Sequence, residues 1–278
     1  MGRPFIEFIQ SQQLPWVEKS YVTKIRPGVL VRELSLDTES GGCSLLLKYP
    51  ENYVHADSHY LNADEEFFVI DGEITIDGQK YGRYNYGHFP KGYHTAEISS
   101  KGAIVLTFFN VAPSATVANA DSPELETERV IKHIDSLAGE WGGNFNPDFP
   151  PGAGRKWMRR DPVTQDETWV LGTMPLRYGM RSEKHPVVEE AYLLSGELVG
   201  HLGVMTPGAY FWRPPEEPHG PFGSMTGNLY LFRTVGGPLS TIYEPDSREF
   251  NWKPKHDPIL PKELAELPVF DGCVCQAY

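Results

Sequence analysis

Residues 183 to 219 hold a grouping of side chains that can ligate metal: Glu183, His185 and Glu189 in one short run, then Gly196, Gly208, the pair Arg213-Pro214, and His219. A neutral imidazole nitrogen and a carboxylate oxygen each bind a divalent first-row metal at about 2.0–2.2 Å, and three such ligands leave coordination positions for substrate or water. His185, Glu189 and His219 therefore read as a two-histidine, one-carboxylate metal triad. That donor set suits non-haem iron and oxygen chemistry, although nitrogen and oxygen ligands alone do not choose among Fe(II), Mn, Zn and Ni. Glu183 stands two residues before His185 and is expected to accept a proton or to join the ligands.

Strands and tight turns must deliver these groups. Residues two apart on a strand share a face, so Glu183 and His185 can look into one interior, with Glu189 opening the next strand. The composition agrees: 24 Pro and 27 Gly in 278 residues, at 40% hydrophobic content, call for many turns and short strands. Residues 29–50 alternate around Ser40-Gly41-Gly42 and predict a hairpin. Helical readings are confined to 127–141 (TERVIKHIDSLAGEW) and to a turn or two in 261–268 (PKELAELP). The first 28 residues hold an amphipathic arm, expected as an edge strand or lid, and the proline-rich chain beyond 236 is expected to wrap the first domain. The expectation is an all-β protein of two domains, 1–150 and 151–278, joined by the Pro/Gly-rich run 142–155 reaching over one barrel.

The two domains follow from an internal repeat. Glu65 and Glu189, Gly72 and Gly196, and Pro90 and Pro214 are each 124 residues apart, while His94 to His219 is 125 and His59 to His185 is 126. One register with small slips in loops is what a duplicated β-domain leaves. The first copy thus offers its own set, His59, Glu65 and His94, with Asp57 matching Glu183 and His55 as a substitute. Glu66 and Glu190 should point to the opposite strand face, at the rim or surface. Arg177, Arg181 and Arg213 lie near the second set; Arg213 reads as solvated, or as a fork for a substrate carboxylate. Tyr192, Tyr210 and Trp212 are expected in the core or lining a pocket, and His88, His133, His201 and His256 are expected to be structural.

The second copy resembles the cupin superfamily. That family's first motif ends in a His, three or four residues, a Glu, six residues and a Gly, matched here by His185, Glu189 and Gly196. Its second motif is matched by Gly208, Pro214 and His219, with Glu216 where the family has Gly. The first copy departs in loop lengths, and both copies replace the family's leading His, by Asp57 and Glu183. The resemblance implies a bicupin: two tandem double-stranded β-helix barrels with short helices, and a homodimer. It also implies metal ligands at His59, Glu65, His94, His185, Glu189 and His219, with Asp57 as a replacement ligand.

The formal charge of −12 excludes a surface built to neutralise nucleic-acid or membrane phosphates. Three cysteines form no disulfide framework, and Cys273 and Cys275 lack further metal-ligand partners. No run is apolar enough for a membrane span, so the sequence reads as cytoplasmic. The functional expectation is a metal-dependent enzyme, with Fe(II) favoured and O2 as co-substrate, oxidising a small enol, phenol or keto compound. The rivals are a redox-neutral isomerase, lyase or decarboxylase and a non-catalytic binding protein.

Overall fold

The computed structural model describes residues 2–142, 152–245 and 248–270. It is nearly all antiparallel β-structure, in two compact units: Met1–Pro4 with Leu14–Ala138, and Phe5–Gln13 with Gly139–Tyr278. Cys273, Cys275 and most of the linker 142–155 lie outside the described residues. Among those described, no helix is long and apolar enough to cross a membrane.

In the first unit the main sheet runs Ile131–Asp135, Asn85–Phe89, Glu65–Ile76, Ile98–Phe109, Cys43–His55, Leu30–Leu36. The expected hairpin is its last pair, with Leu30 opposite Lys48 and Leu36 opposite Cys43. In the second unit the order is Ile6–Gln10, Ala209–Arg213, Val188–Gly196, Asn228–Val235, Glu167–Thr173, Ala153–Arg160. The two orders correspond strand for strand, and the register repeats as well. Glu65 faces Phe89 and Phe68 faces Tyr86 in one; Glu189 faces Arg213 and Tyr192 faces Tyr210 in the other.

The repeated glycines have a steric reason. Gly72 and Gly196 have φ of 74° and 75°, and a Cβ at either would lie 2.0 Å from a carbonyl oxygen, that of Gly102 or Gly227. Each sheet's inner face carries its own core, around Leu45, Leu47, Phe67 and Val105 in the first unit and Phe8, Trp169, Leu193 and Phe211 in the second.

Three local expectations fail, and a fourth, the arm, holds with a change of unit. Residues 127–141 form a 3-10 turn at Thr127–Arg129 and a strand at Ile131–Asp135, not a helix; the β-branched Val130, Ile131 and Ile134 favour the strand. The arm does supply an edge strand, Ile6–Gln10, but to the second unit, where it holds the place that Ile131–Asp135 holds in the first. The chain beyond 236 packs within the second unit: Ile242–Tyr243 pairs with Glu183–Lys184, and Ile259 bridges to Glu7. Glu66 and Glu190 are buried, 2% and 0% exposed, because the opposite sheet face is covered too. The hydroxyls of Tyr86 and Tyr210 donate to them at 2.8 and 2.5 Å.

Candidate metal centre

Two backbone elements carry the second cluster and are tied face to face. The N–H of Glu183 donates to the carbonyl of His219 and the N–H of His219 to that of Glu183, both at 2.9 Å. At the turn between strand and His219, Glu216 takes φ 65° where the cupin motif has glycine, and its N–H donates to the carbonyl of His185 at 2.7 Å. The turn thus keeps the motif's backbone shape without the motif's residue, the conformation being one that L side chains rarely adopt.

The imidazoles are fixed in one tautomer. Nδ1 of His185 lies 2.8 Å from the carbonyl of Ser240, and Nδ1 of His219 lies 2.9 Å from that of Glu217. A carbonyl only accepts, so each ring carries its proton on Nδ1 and turns the Nε2 lone pair inward. Burial, reinforced by the nearby Arg213 charge, pushes the His219 pKa down to about 3, so that ring is neutral. Both Nε2 atoms are buried and have no hydrogen-bond partner.

These lone pairs face carboxylates. Nε2 of His185 is 3.7 Å from Oε1 of Glu189; Nε2 of His219 is 3.5 Å from Oε2 of Glu189 and 3.9 Å from Oε1 of Glu183. Acceptors converging on acceptors are unfavourable unless a cation sits among them. The ligand atoms of Glu183, His185 and His219 all lie within 4.8 Å of one another, the only such grouping among the described residues. The donor set therefore fits a divalent ion, and these three residues would hold it.

Charge leads to the same place. Arg213 is 2% exposed and its guanidinium is committed to Glu189, at 2.5 Å from Nη1, and to both oxygens of Glu7. It is therefore neither solvated nor a free fork for substrate; two carboxylates inside the fold occupy it. Burial opposes ionisation of Glu189, yet Arg213 above all holds its carboxyl down at about 2. Glu183 instead has a raised pKa, from burial first and the Glu189 charge in addition. Three carboxylates, Glu7, Glu183 and Glu189, stand against Arg213 and, near Glu183, Arg177, an excess of negative groups that a bound cation would offset. The carboxylate grouped with both imidazoles is Glu183, whereas Glu189, the expected ligand, is shared with Arg213.

The first unit does not gather its expected set. His59 also donates Nδ1–H to a backbone carbonyl, that of Asp57 at 2.6 Å, but its inward Nε2 receives Nη1 of Arg26 at 3.1 Å. Nη2 of the same guanidinium donates to Oε2 of Glu65 at 2.9 Å. Arg26, 1% exposed, thus supplies a fixed cation to the His and Glu that a metal would bridge. Burial opposes its charge, but Glu65 together with Tyr49 and Tyr53 outweighs that, so its pKa is raised. The other two members point elsewhere. Asp57 has a side chain 88% exposed, 3.7 Å from Nε2 of His55. The Ser58 hydroxyl donates to the Ala118 carbonyl, so Nε2 of His94, 2.7 Å from that hydroxyl, is the donor and has no lone pair to offer.

Sequence reasoning missed Glu7 and Arg26. Glu7 was legible as a lone carboxylate inside the apolar run Phe5-Ile6-Glu7-Phe8-Ile9; Arg26, between Ile25 and Pro27, carried no such sign.

Two cavities open on the second cluster and share Glu183, Glu189, Leu171 and Phe232. One, of about 120 Å³, includes His219 and Arg177; the other, of about 440 Å³, includes His185 and Arg155. The second is the size of an ordinary small-molecule site.

An antiparallel β-fold with a His/Glu cluster inside one unit is the arrangement expected of a cupin-like fold, and solved structures agree on the fold. A presumed dioxygenase from Nostoc punctiforme is 19% identical, with a TM-score of 0.78 over 88% of this chain and 92% of that one. An oxalate decarboxylase mutant from Bacillus subtilis is 12% identical, with a TM-score of 0.56 over 85% and 79%. A salicylate 1,2-dioxygenase mutant from Pseudoaminobacter salicylatoxidans is 10% identical, with a TM-score of 0.54 over 74% and 76%. No curated protein matches in sequence. The model of the family described as Domain of unknown function (DUF4437) matches residues 5–240, and the chain belongs to that family.

Proposed function

We propose that the chain is a bicupin enzyme with one working metal centre, in the second unit, and that it is a dioxygenase-type oxidoreductase. The observation that carries this is the pair of buried, partnerless Nε2 atoms of His185 and His219 converging with Glu183. Fe(II) is the favoured ion, and when bound it supplies the redox chemistry and Lewis acidity that O2 and an enol, phenol or keto substrate require. The resemblance to a presumed dioxygenase and to a salicylate 1,2-dioxygenase supports that choice.

The protein's own residues bind, orient and exclude water. Carbonyls of Ser240 and Glu217 hold both imidazoles in the ligating tautomer, and Arg213 restrains Glu189 beside them. Glu183 lines both cavities, so the ligand cluster can be reached by a substrate from either side.

Elemental analysis of protein purified without added metal, then O2 uptake after anaerobic Fe(II) loading with a panel of enols and phenols, tests the proposal. About one iron per chain and substrate-dependent O2 consumption are expected. Manganese, zinc or nickel without O2 uptake would favour the redox-neutral reading, which the likeness to oxalate decarboxylase supports. Absence of metal would leave a binding protein. The proposed partners are a small-molecule substrate, O2 and a second copy of the chain, the last tested by sedimentation.

A further inference from the structure

We infer that the smaller cavity takes the ring of a phenol, a single six-membered ring and not a fused pair, with its hydroxyl toward Glu183 and His219; this rests on the metal-centre reading above. The cavity of about 120 Å³ lies between two sheets of the second unit. Leu171, Phe211, Tyr230 and Phe232 come from the six-stranded sheet, Leu198 from the four-stranded one, and Phe222 immediately precedes another strand of the latter, Gly223–Ser224. The aromatic groups form one wall: the ring centres of Phe211 and Phe232 are 5.9 Å apart and those of Tyr230 and Phe232 5.3 Å. Leu171 and Leu198 pack against the same core.

That wall begins at the ligand cluster. The guanidinium carbon of Arg213, whose Nη1 donates to Glu189, lies 3.7 Å from the ring centre of Phe211 and 5.3 Å from that of Phe222. The His219 ring is 5.8 Å from Phe222. Other polar groups lining the cavity are engaged. The Thr173 hydroxyl donates to Oδ1 of Asn228 at 2.8 Å, the Asn228 amide donates to the carbonyl of Glu197 at 2.9 Å, and the Arg181 guanidinium covers the Tyr243 ring at 3.7 Å. A ligand here meets aromatic surface beside Glu183 and the partnerless Nε2 of His219. Met180 also lines the cavity and is 63% exposed, so solvent reaches it there. An apolar cavity of about 150 Å³ holds benzene, so one of about 120 Å³ with an opening admits one ring and rejects two. The larger cavity, about 440 Å³, has room for two rings and is lined by the charged Arg155, Arg160 and Glu167. Burial of apolar surface is favourable in proportion to its area, so a two-ring phenol binds better than phenol where both fit and worse where only one does. The sign of that preference distinguishes the cavities.

Phenol and 2-naphthol are the probes, titrated by calorimetry into EDTA-treated and Zn(II)-loaded protein, with metal content measured in each. Phenol is expected to bind the zinc-loaded chain at least about tenfold tighter than 2-naphthol. Leu198 lines only the smaller cavity and Leu239 only the larger. Leu198→Trp should therefore weaken phenol binding about tenfold or more with bound zinc unchanged, whereas Leu239→Trp should leave it within about twofold. Equal or tighter binding of 2-naphthol, no phenol binding to zinc-loaded protein, or a loss in Leu239→Trp and not in Leu198→Trp would overturn the inference. The 2-naphthol comparison on the native chain decides the matter even if Leu198→Trp fails to fold. Phenol binding that Leu198→Trp abolishes in protein that takes up no zinc would sink the metal reading and leave the ring cavity standing.

Discussion

At the level of single residues, the two copies differ by what neutralises a buried His–Glu pair. Arg26 does so in the first unit, donating to His59 and Glu65; in the second the inward lone pairs of His185 and His219 are open. His219→Ala should therefore take the bound metal from about one equivalent per chain to near zero, read by elemental analysis after gel filtration. A loss of only half of two equivalents would mean that the first unit also binds. Arg26→Met should leave the metal count unchanged and destabilise the fold by about 3–5 kcal/mol in urea unfolding, because Glu65 would stay buried without its counter-charge. The ligand types and their spacing could be read from the sequence because the motif places them at turn and strand positions. The use of Arg26 could not, since it approaches from a segment that follows a short helix at Ser20–Thr23 and belongs to no repeat. Glu183 was visible as a candidate, and its carboxylate does group with both imidazoles, beside that of Glu189.

At the level of elements, the repeat predicted the central strands well. Gly72 and Gly196 mark the same close approach to a carbonyl oxygen, and a steric requirement that strict leaves a trace in sequence. The edge strands were harder to place. Ile6–Gln10 and Ile131–Asp135 are 125 residues apart, within the repeat's register, but the first pairs in the second unit and the second in the first, an exchange that the offset does not reveal. The edge strand in the second unit also brings Glu7, whose carboxylate holds Arg213 from the side opposite Glu189. Burial raises the Glu7 pKa while Arg213 works against that rise, so much of the pair's strength depends on that one guanidinium. Glu7→Ala should destabilise the protein by about 3–5 kcal/mol. It should also weaken metal binding by about tenfold or more, since Arg213 would then draw on Glu189 alone and the site would lose one negative charge. Competition with a chelator of known affinity measures the second effect; unchanged affinity would show that Arg213 is buttressed from elsewhere.

Across the whole molecule, two units of matching topology carry unequal chemistry. Their equivalence in strand order and register argues for duplication, and the retained Glu65–Arg26 and Glu189–Arg213 pairs show that a buried carboxylate at the start of that strand was kept in both. What separates them is the first carboxylate of each motif: Asp57 is in solvent, Glu183 is in the cluster. A ligand that binds only the native state stabilises by RT ln(1 + [L]/Kd), about 2.7 kcal/mol at a hundredfold excess over Kd, and that protection is largest where the ligand is held. Adding metal should therefore slow amide hydrogen exchange at 183–189 and 213–219, where backbone pairing links the ligand-bearing segments. Exchange at 55–65 and 88–94 should not change, because Arg26 already supplies the cation there. Hydrogen-exchange mass spectrometry resolves these peptides in one experiment. Slowing at both sets would mean that the guanidinium of Arg26 gives way to metal and that both barrels are metal sites; slowing at 55–65 alone would reverse the assignment of the working unit.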